Sequence, residues 1–283
     1  MPDLFPRTTV AGVSLPRLII GTNWFQGYSH KTPALDKLIV NHTRNADFIA
    51  QILAAFIERG VDAVLGVFNH MPEVAEAVKK AEDITGKKMI LIDTPWFNVD
   101  DSNDARAEAK AVIQASKKAG ADFCLPHHST VEQLVCKNTA TINRLPDYLT
   151  MIRDAGMIPG LSCHMPELVI YSDANGYDVE TYIQLYNCLG YLMQVEIEFI
   201  HRVIWNAKKP VITIKPLAAG RLTPFVGFNF VWNTLRDCDM VTIGCMTKEE
   251  AEEDVEISLA AIERRMPGVE GRNSPRKTTI MAN

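Results

Sequence analysis

The sequence repeats one unit, in which a helical pattern ends at a glycine or polar turn, a short apolar run follows, and polar residues come next. The clearest copy is residues 117–128, where a helix ends at Gly120 and the apolar run ends at two adjacent histidines. Runs that are apolar throughout are typical of parallel strands buried on both faces. The eight runs are residues 18–22, 63–67, 89–92, 122–128, 157–161, 182–187, 211–215 and 240–244.

Eight units of this kind, spread over about 260 residues, are what an α/β fold of the (β/α)₈ TIM-barrel type requires. The rival is a doubly wound sheet, but no GxGxxG sequence follows the first run. We therefore predict a single TIM-barrel domain over residues 1–283. The prolines around residues 8–13 predict a short N-terminal hairpin within residues 1–16, and the polar residues 267–283 predict a flexible C-terminal tail.

The composition of the chain indicates which kinds of molecule it binds. An apolar fraction of 47% is enough for a sizeable core, and a net charge of −5 gives no reason to expect a nucleic acid or an anionic membrane. A small-molecule substrate fits this balance better, and association into a homo-oligomer is left open. Six scattered cysteines without a CxxC pair, and a start without an apolar leader, predict reduced thiols in a cytoplasmic protein.

In a TIM barrel the active site is built at the C-terminal ends of the strands. Four of the seven histidines fall on three such ends. Each polar residue at a strand end is, taken alone, better explained by hydrogen bonds to the backbone, but this convergence favours a site. The polar and aromatic residues that end these runs or follow them are Asn23, Trp24, His70, Asp93, His127, His128, His164, Tyr186, Asn187, Lys215 and Cys245.

Neutral imidazoles gathered near a carboxylate suit a divalent metal such as zinc, manganese or iron. The predicted metal ligands are His70, His127, His128, His164 and Asp93. The predicted catalytic groups are His70, Asp93, His127 and Lys215.

Lys215 ends an apolar run and would point into the mouth of the barrel. Its ammonium would neutralise an anionic substrate, or the amine would form a Schiff base if burial lowers its pKa. A structural ion pair is an equally good explanation. Cys163 and Cys245 are better explained as apolar fillers than as nucleophiles. The predicted substrate-binding residues are Asn23, Trp24, Trp96 and Asn187, although aromatic side chains near a barrel mouth are also common as plain packing.

Four short segments, which are spaced along most of the chain, resemble the aldo-keto reductases. Residues 16–22 resemble the first strand of that family after its capping hairpin, and residues 176–187 resemble its sixth-strand region. Residues 214–222 resemble the KPLxxGxL form found in the iron–sulfur-associated branch, and residues 243–254 resemble the last strand and the helix on the cofactor side. The resemblance implies a TIM barrel with a capping hairpin and a nicotinamide cofactor, NADPH.

The resemblance also implies a catalytic tetrad of Asp, Tyr, Lys and His, and most of it is missing. Leu65 stands at the position of the Asp and His70 at that of the Tyr, while the Lys would fall near Pro95. Only the His has a counterpart, at His127 or His128.

On the cofactor side, Cys163 stands where the family has an Asn after Ser162, and Ile214 replaces the aromatic residue that stacks on nicotinamide. The cysteine-rich tail of the iron–sulfur branch is absent from the sequence. The cofactor-binding residues that the resemblance implies are Ser162, Gln184, Thr247 and Lys248.

Three hypotheses follow. The preferred one is a small-molecule enzyme whose histidine-rich mouth uses a metal to act on an anionic or carbonyl substrate, as a lyase, isomerase or hydrolase. The second is an NADPH-dependent carbonyl reductase in which His70 or His127 is the general acid in place of Tyr. The third is a non-catalytic binding protein on the same fold.

Overall fold

The computed structural model describes residues 4–43, 45–68 and 71–269, without the side chain of His42. The strands are β1 Arg7–Val10, β2 Val13–Pro16, β3 Leu18–Gly21, β4 Ala63–Gly66, β5 Ile90–Asp93, β6 Phe123–Cys124, β7 Val135–Cys136, β8 Thr141–Ile142, β9 Ile158–Pro159, β10 Leu161–Cys163, β11 Tyr182–Leu185, β12 Val211–Ile214 and β13 Met240–Ile243. The helices are α1 Pro33–Thr43, α2 Ala46–Glu58, α3 Pro72–Thr85, α4 Asn103–Lys118, α5 His128–Val131, α6 Leu145–Asp154, α7 Glu167–Asn175, α8 Ile197–Asn206, α9 Pro224–Thr234 and α10 Lys248–Glu263.

The large sheet is parallel and runs in the order β10, β11, β12, β13, β3, β4, β5, β6, β9. Its two ends, β9 and β10, are consecutive in the chain and are separated only by Gly160. The Gly160 N–H donates to the carbonyl of Cys124 on one side, and the Leu161 N–H donates to the carbonyl of Thr181 on the other. Because β9 and β10 are therefore two halves of one strand, the sheet closes into an eight-stranded barrel, and the predicted (β/α)₈ fold is confirmed.

Gly160 allows this closure because no side chain fits there. A Cβ atom at this position would lie 2.6 Å from Cγ of Leu125 and 2.7 Å from the carbonyl oxygen of Thr181. Both distances are far inside van der Waals contact, so a larger residue would push the two halves of the strand apart.

Side chains alternate between the two faces of each strand. One set fills the interior of the barrel, and the other packs between the strands and the surrounding helices. Val10 and Leu15 of the β1–β2 hairpin close the interior at the N-terminal ends of the strands. The interior set on the barrel strands and the residues that end them is Ile19, Ala63, Ile92, Phe123, Leu125, Ile183, Ile212 and Met240.

Polar residues and glycines mark several helix boundaries. Asn45 caps α2, since its side-chain oxygen accepts a hydrogen bond from the N–H of Asp47. Gly86 and Gly120 follow α3 and α4 in the left-handed conformation, with φ of +68° and +97°.

Four helices were not predicted: α1 inside the polar segment 28–44, the short α5 after β6, and α7 and α9 after β10 and β12. In α7 the apolar residues Leu168, Val169 and Ile170 are consecutive, so a helical period of 3.6 does not show in the sequence. In α9 apolar residues fall on all sides of the helix, which hides the period in the same way.

The described part of the chain contains no helix long and apolar enough to cross a membrane. All six cysteines are free thiols, and Cys124, Cys163 and Cys245 are buried. The predicted tail lies outside the described residues from position 270 onward, so both its flexibility and the single-domain organisation of the whole chain stay predictions.

Candidate active site at the barrel mouth

A cavity of about 560 Å³ opens at the C-terminal ends of the barrel strands. Its wall includes residues from the segment 28–31, which leads into α1 and lies over the mouth. Seven of the predicted site residues line this cavity: Asn23, Trp24, His127, His128, Ser162, His164 and Lys215. His70 lies outside the described residues, so the structure does not test its predicted catalytic and metal-binding roles.

Three imidazole rings form a cluster in this cavity. The ring centres of His127 and His128 are 4.2 Å apart, and those of His128 and His164 are 3.6 Å apart with nearly parallel planes. His127 caps the short helix α5, and its Nδ1 is hydrogen-bonded to Oγ of Ser129 at 2.7 Å. Three of the four predicted histidines, from two of the three predicted strand ends, therefore lie together.

Glu132 holds two members of this cluster in place. Its Oε1 accepts hydrogen bonds of 2.7 Å from the backbone N–H groups of His164 and Met165. Its Oε2 lies 3.6 Å from Nδ1 of His128, a distance suited to an ion pair when His128 is protonated. Glu132 therefore orients His128, and its spacing of four residues from His128 along one helical turn is a signal that was present in the sequence.

The buried surroundings keep two of the imidazoles neutral. Burial, with a contribution from nearby His128, lowers the pKa of His164 to about 3 and that of His127 to about 4. Burial alone would raise the pKa of Glu132, but hydrogen bonds from His128 and from two backbone N–H groups lower it overall. At neutral pH the rings of His127 and His164 are thus neutral, and one anchored carboxylate lies in the cluster.

The geometry of the cluster does not fit a shared metal ion. The lone pair of an imidazole nitrogen lies in the plane of its ring, and a metal must lie about 2.0–2.1 Å away along it. The rings of His128 and His164 are stacked with an angle of 14° between their planes, so their lone pairs run side by side instead of converging. Among the described residues, no three His, Cys, Asp or Glu side chains are placed to hold one metal ion.

Asp93, the predicted carboxylate ligand, is not part of the cavity wall. Strand alternation places Ile92 inside the barrel, so Asp93 faces the helices, where its Oδ1 accepts a hydrogen bond from the N–H of Phe68. The next residue, Thr94, lines the cavity instead. The prediction counted Asp93 as a strand end and did not allow for the face on which it falls.

Lys215 enters the cavity without a carboxylate beside it. Its Nζ lies 3.1 Å from Nε2 of His30, and burial lowers its pKa to about 8. Within the described residues no Asp or Glu oxygen comes within 4.0 Å of this Nζ, so the structural ion pair is not observed. His30, which lies in the polar segment before α1, was not among the predicted site residues, because its approach to Lys215 depends on the fold of that segment.

The other predicted substrate-binding residues are placed differently. Trp96 is 45% exposed, and its ring packs edge-on against His127 at 6.3 Å, at the rim of the mouth. Asn187 is buried, and its side-chain oxygen accepts hydrogen bonds from the N–H groups of Leu189 and Tyr191. Asn187 therefore shapes its own loop and does not face the cavity.

The fold compares with known structures as follows. A Pseudomonas aeruginosa protein provisionally described as an aldo-keto reductase superposes with a TM-score of 0.66 and 13% identity, covering 92% of this chain and 97% of that protein. The fold is that of the aldo-keto reductase barrels. An aldo/keto reductase from Klebsiella pneumoniae, solved in complex with NADP and acetate, gives a TM-score of 0.54 and 16% identity over 95% of this chain and 92% of that one.

A ribulose-1,5-bisphosphate carboxylase/oxygenase from Pyrococcus horikoshii gives a TM-score of 0.53 at 12% identity, over 78% of this chain and 55% of that one. No protein-family model matches the sequence, and no curated protein does. Likeness at this level of identity establishes the fold, not the reaction.

Compared with the aldo-keto reductase pattern that the sequence resembles, the chain lacks most of the catalytic tetrad. Leu65 lines the cavity at the position where the resemblance calls for Asp, and Thr94 lines it beside Pro95, where it calls for Lys. Ile214 lines the wall in place of the aromatic residue. His127 and His128, where the resemblance implies the tetrad histidine, lie in the cluster.

The residues implied for the cofactor are only partly in the cavity. Ser162 lines it, whereas Gln184 is fully buried on the outer face of β11 and its Nε2 donates to the carbonyl of His164. Thr247 uses its hydroxyl to cap α10, accepting from the N–H of Glu250, and Lys248 lies 3.6 Å from Glu252.

The arm of the cavity that reaches α10 is acidic. Glu250, Glu253 and Asp254 line it, and burial with the two glutamates raises the pKa of Asp254 well above its usual value. The carboxylate of Glu250 also accepts from the N–H of Met246, so the chain's own groups occupy donors at the start of α10. These residues do not fit the negative charges of a dinucleotide's phosphates.

Proposed function

We propose that this chain is an enzyme that moves a proton at the carbon next to a carbonyl group, as an isomerase or a lyase does, on a small anionic substrate. The observation that supports this most is the His128–Glu132 pair, flanked by two neutral imidazoles in a cavity that also contains Lys215. Imidazole and amine groups at the C-terminal ends of barrel strands are suited to such chemistry.

In this proposal His128 takes the proton. Glu132 is anchored by two backbone N–H groups and faces Nδ1 of His128, so it stabilises the imidazolium that forms. His127 and His164, kept neutral by burial, donate hydrogen bonds to the oxygen that gains negative charge. Lys215 attracts the anionic substrate into the mouth.

The test is exchange of substrate protons with solvent deuterium, followed by proton NMR on pyruvate, acetoacetate and dihydroxyacetone phosphate. We expect exchange with at least one of them, and a loss of about 100-fold or more in His128→Ala, in the range that general acid–base catalysis contributes. His201→Ala is the matched control, because His201 lies on α8 and contacts the carbonyl of Thr234 instead of the cavity. Absence of exchange with all three compounds, or full exchange in His128→Ala, would overturn the proposal.

A metal-assisted form of the reaction stays a prediction. Elemental analysis of protein purified without a chelator or a histidine tag, beside a His127→Ala, His164→Ala double variant, decides it. Near-stoichiometric zinc, manganese or iron that disappears in the variant would restore the metal hypothesis.

Nicotinamide-dependent reduction is the second candidate, favoured by the similarity to a barrel solved with NADP and by the cavity arm that reaches α10. The acidic lining of that arm argues against it. We expect no binding of NADPH at micromolar concentration in a calorimetric titration, and tight binding would make reduction the preferred function. The non-catalytic hypothesis, the homo-oligomer and the cytoplasmic location also stay predictions.

A further inference from the structure

Lys215 and His30 form an isolated pair in the wall of the cavity. The amine nitrogen lies 3.1 Å from Nε2 of His30, and both residues line the mouth. No carboxylate of the described residues pairs with the amine, unlike the exposed lysines Lys80 and Lys137, which contact acidic side chains. A partly buried amine without a counter-ion costs stability, which favours an explanation in terms of function.

The surroundings of His30 fix which ring nitrogen carries the hydrogen. Nδ1 lies 3.0 Å from the carbonyl oxygen of Tyr28, and because a carbonyl oxygen only accepts, Nδ1 is the protonated nitrogen of the neutral ring. Nε2 therefore presents its lone pair to Lys215. The backbone carbonyl of His30 in turn accepts hydrogen bonds from the hydroxyl of Tyr191 and the guanidinium of Arg221, which hold the residue in place.

Both partners have strained backbones. Lys215 has φ of +61° and His30 has φ of +56°, and Ala218 and Ala219 in the same loop are also left-handed. Residues other than glycine adopt this region rarely, and such residues concentrate at functional sites. The strain is independent of the hydrogen-bond geometry and falls on the same pair.

Burial also favours the reactive form of the amine. Burial lowers the pKa of Lys215 to about 8 from 10.5, which raises the fraction of free amine at pH 7 by roughly two orders of magnitude. Burial and the nearby Lys215 also lower the pKa of His30, so its ring is neutral and available as a proton acceptor.

We propose that Lys215 forms an imine with the carbonyl carbon of the substrate, and that His30 is its proton-transfer partner. This deepens the proposed function, because it rests on the substrate being a carbonyl compound. It changes the assigned role of Lys215 from attraction of an anion to covalent activation of the reacting carbon.

The ammonium of Lys215 gives one proton to Nε2 of His30, and the free amine attacks the carbonyl carbon, forming the N–C bond. A proton passes from nitrogen to the former carbonyl oxygen, and His30 returns its proton as the C–O bond breaks and water leaves. The products are a protonated imine on Lys215, one water molecule and neutral His30, with no oxidant or reductant needed.

The test is trapping of the imine with the full chain, pyruvate as the probe and sodium cyanoborohydride as the reductant. Intact-mass spectrometry should show one reduced pyruvate adduct per chain, and peptide mapping of the unchanged protein should place it on Lys215. Lys215→Met should lose it, whereas Lys79→Met, which removes an exposed lysine of α3, should keep it. No adduct, or one spread over surface lysines, would overturn the proposal.

His30→Gln separates proton transfer from packing, because glutamine retains a hydrogen-bonding side chain but is not a base. The labelling rate should rise with pH to a midpoint near 8 in both proteins, while the plateau rate falls at least about tenfold in the variant. An unchanged plateau would remove His30 from the reaction. If deuterium exchange depends on His128 but no adduct forms, the imine is ruled out and the proposed proton transfer stands. If an adduct forms but no exchange occurs, the proposed proton transfer is ruled out and the imine stands.

Discussion

The two ends of the barrel differ in whether their ionisable side chains have partners of opposite charge. At the N-terminal ends of the strands, Arg236 makes hydrogen bonds of 2.7 and 2.9 Å to the fully buried carboxylate of Asp239, which also accepts from the N–H of Val211. Arg17 is bound there by the backbone carbonyls of Arg236 and Asp239.

At the C-terminal ends, Lys215 has only a neutral imidazole for a partner, and His127 and His164 are held uncharged. Paired charges fix the position of strands, whereas unpaired bases retain reactivity at the cost of stability. One end of the barrel is therefore organised for structure, and the other for chemistry.

The largest effect should come from breaking the paired end. Asp239→Ala leaves the Arg236 guanidinium without its carboxylate, and we expect the free energy of unfolding to fall by about 3–5 kcal/mol. Urea unfolding followed by circular dichroism measures it. The control is Asp237→Ala, whose fully exposed carboxylate lies 3.8 Å from Arg17 and should cost less than about 0.5 kcal/mol. If both variants lowered the free energy of unfolding by the same amount, the paired charges at the N-terminal ends of the strands would not have the structural role described.

A smaller effect should appear at the mouth in acid. The pKa of His164 is lower in the folded chain than its usual value of 6.5, so the unfolded chain binds a proton that the folded chain does not. Stability therefore falls as the pH drops from about 6.5 toward 3 and is unaffected above that range. The His164→Gln variant lacks this titrating group. Between pH 6.5 and pH 3 its free energy of unfolding should therefore fall by about 1–2 kcal/mol less than that of the parent. Urea titrations at several pH values measure the difference. Parallel losses in both proteins would show that His164 is not buried as described.

The smallest effect should come from Lys215→Met. The variant removes an amine that has no counter-ion, so we expect its stability at pH 7 to equal that of the parent or exceed it by about 1 kcal/mol. Because the pKa of Lys215 is lowered in the fold, the parent should gain stability between pH 8 and 10.5 as the amine loses its proton, and the variant should lack that gain. Thermal unfolding at pH 7 and pH 10 measures both, and a loss of several kcal/mol at pH 7 would indicate a hidden structural role.

The sequence predicts the barrel because its signal is repeated eight times and depends only on the continuity of apolar residues. The same signal places His127, His128, His164 and Lys215 at the mouth. It does not predict the face on which a strand-end residue falls, which is why Asp93 was expected in the cavity and lies outside it.

The positions of His30 and Glu132 depend on longer-range structure. His30 reaches Lys215 only because the segment before α1 crosses the mouth, which brings together residues that are 185 positions apart. The spacing of Glu132 from His128 is visible in the sequence, but it does not indicate that Glu132 also accepts from backbone N–H groups after β10. The stacking of His128 on His164, which argues against a shared metal, is a matter of ring orientation that spacing does not determine.

The most direct test of the contrast between the two ends is the titration of Lys215 itself. Protein labelled with ¹³C at the lysine ε-carbon is followed by NMR from pH 6 to pH 11, and Lys215→Met identifies the resonance. The account predicts one lysine that titrates near pH 8, while the exposed lysines titrate in the usual range. A Lys215 midpoint above 10 would mean that its charge is solvated or paired, which would contradict an unpaired base at the mouth of the barrel.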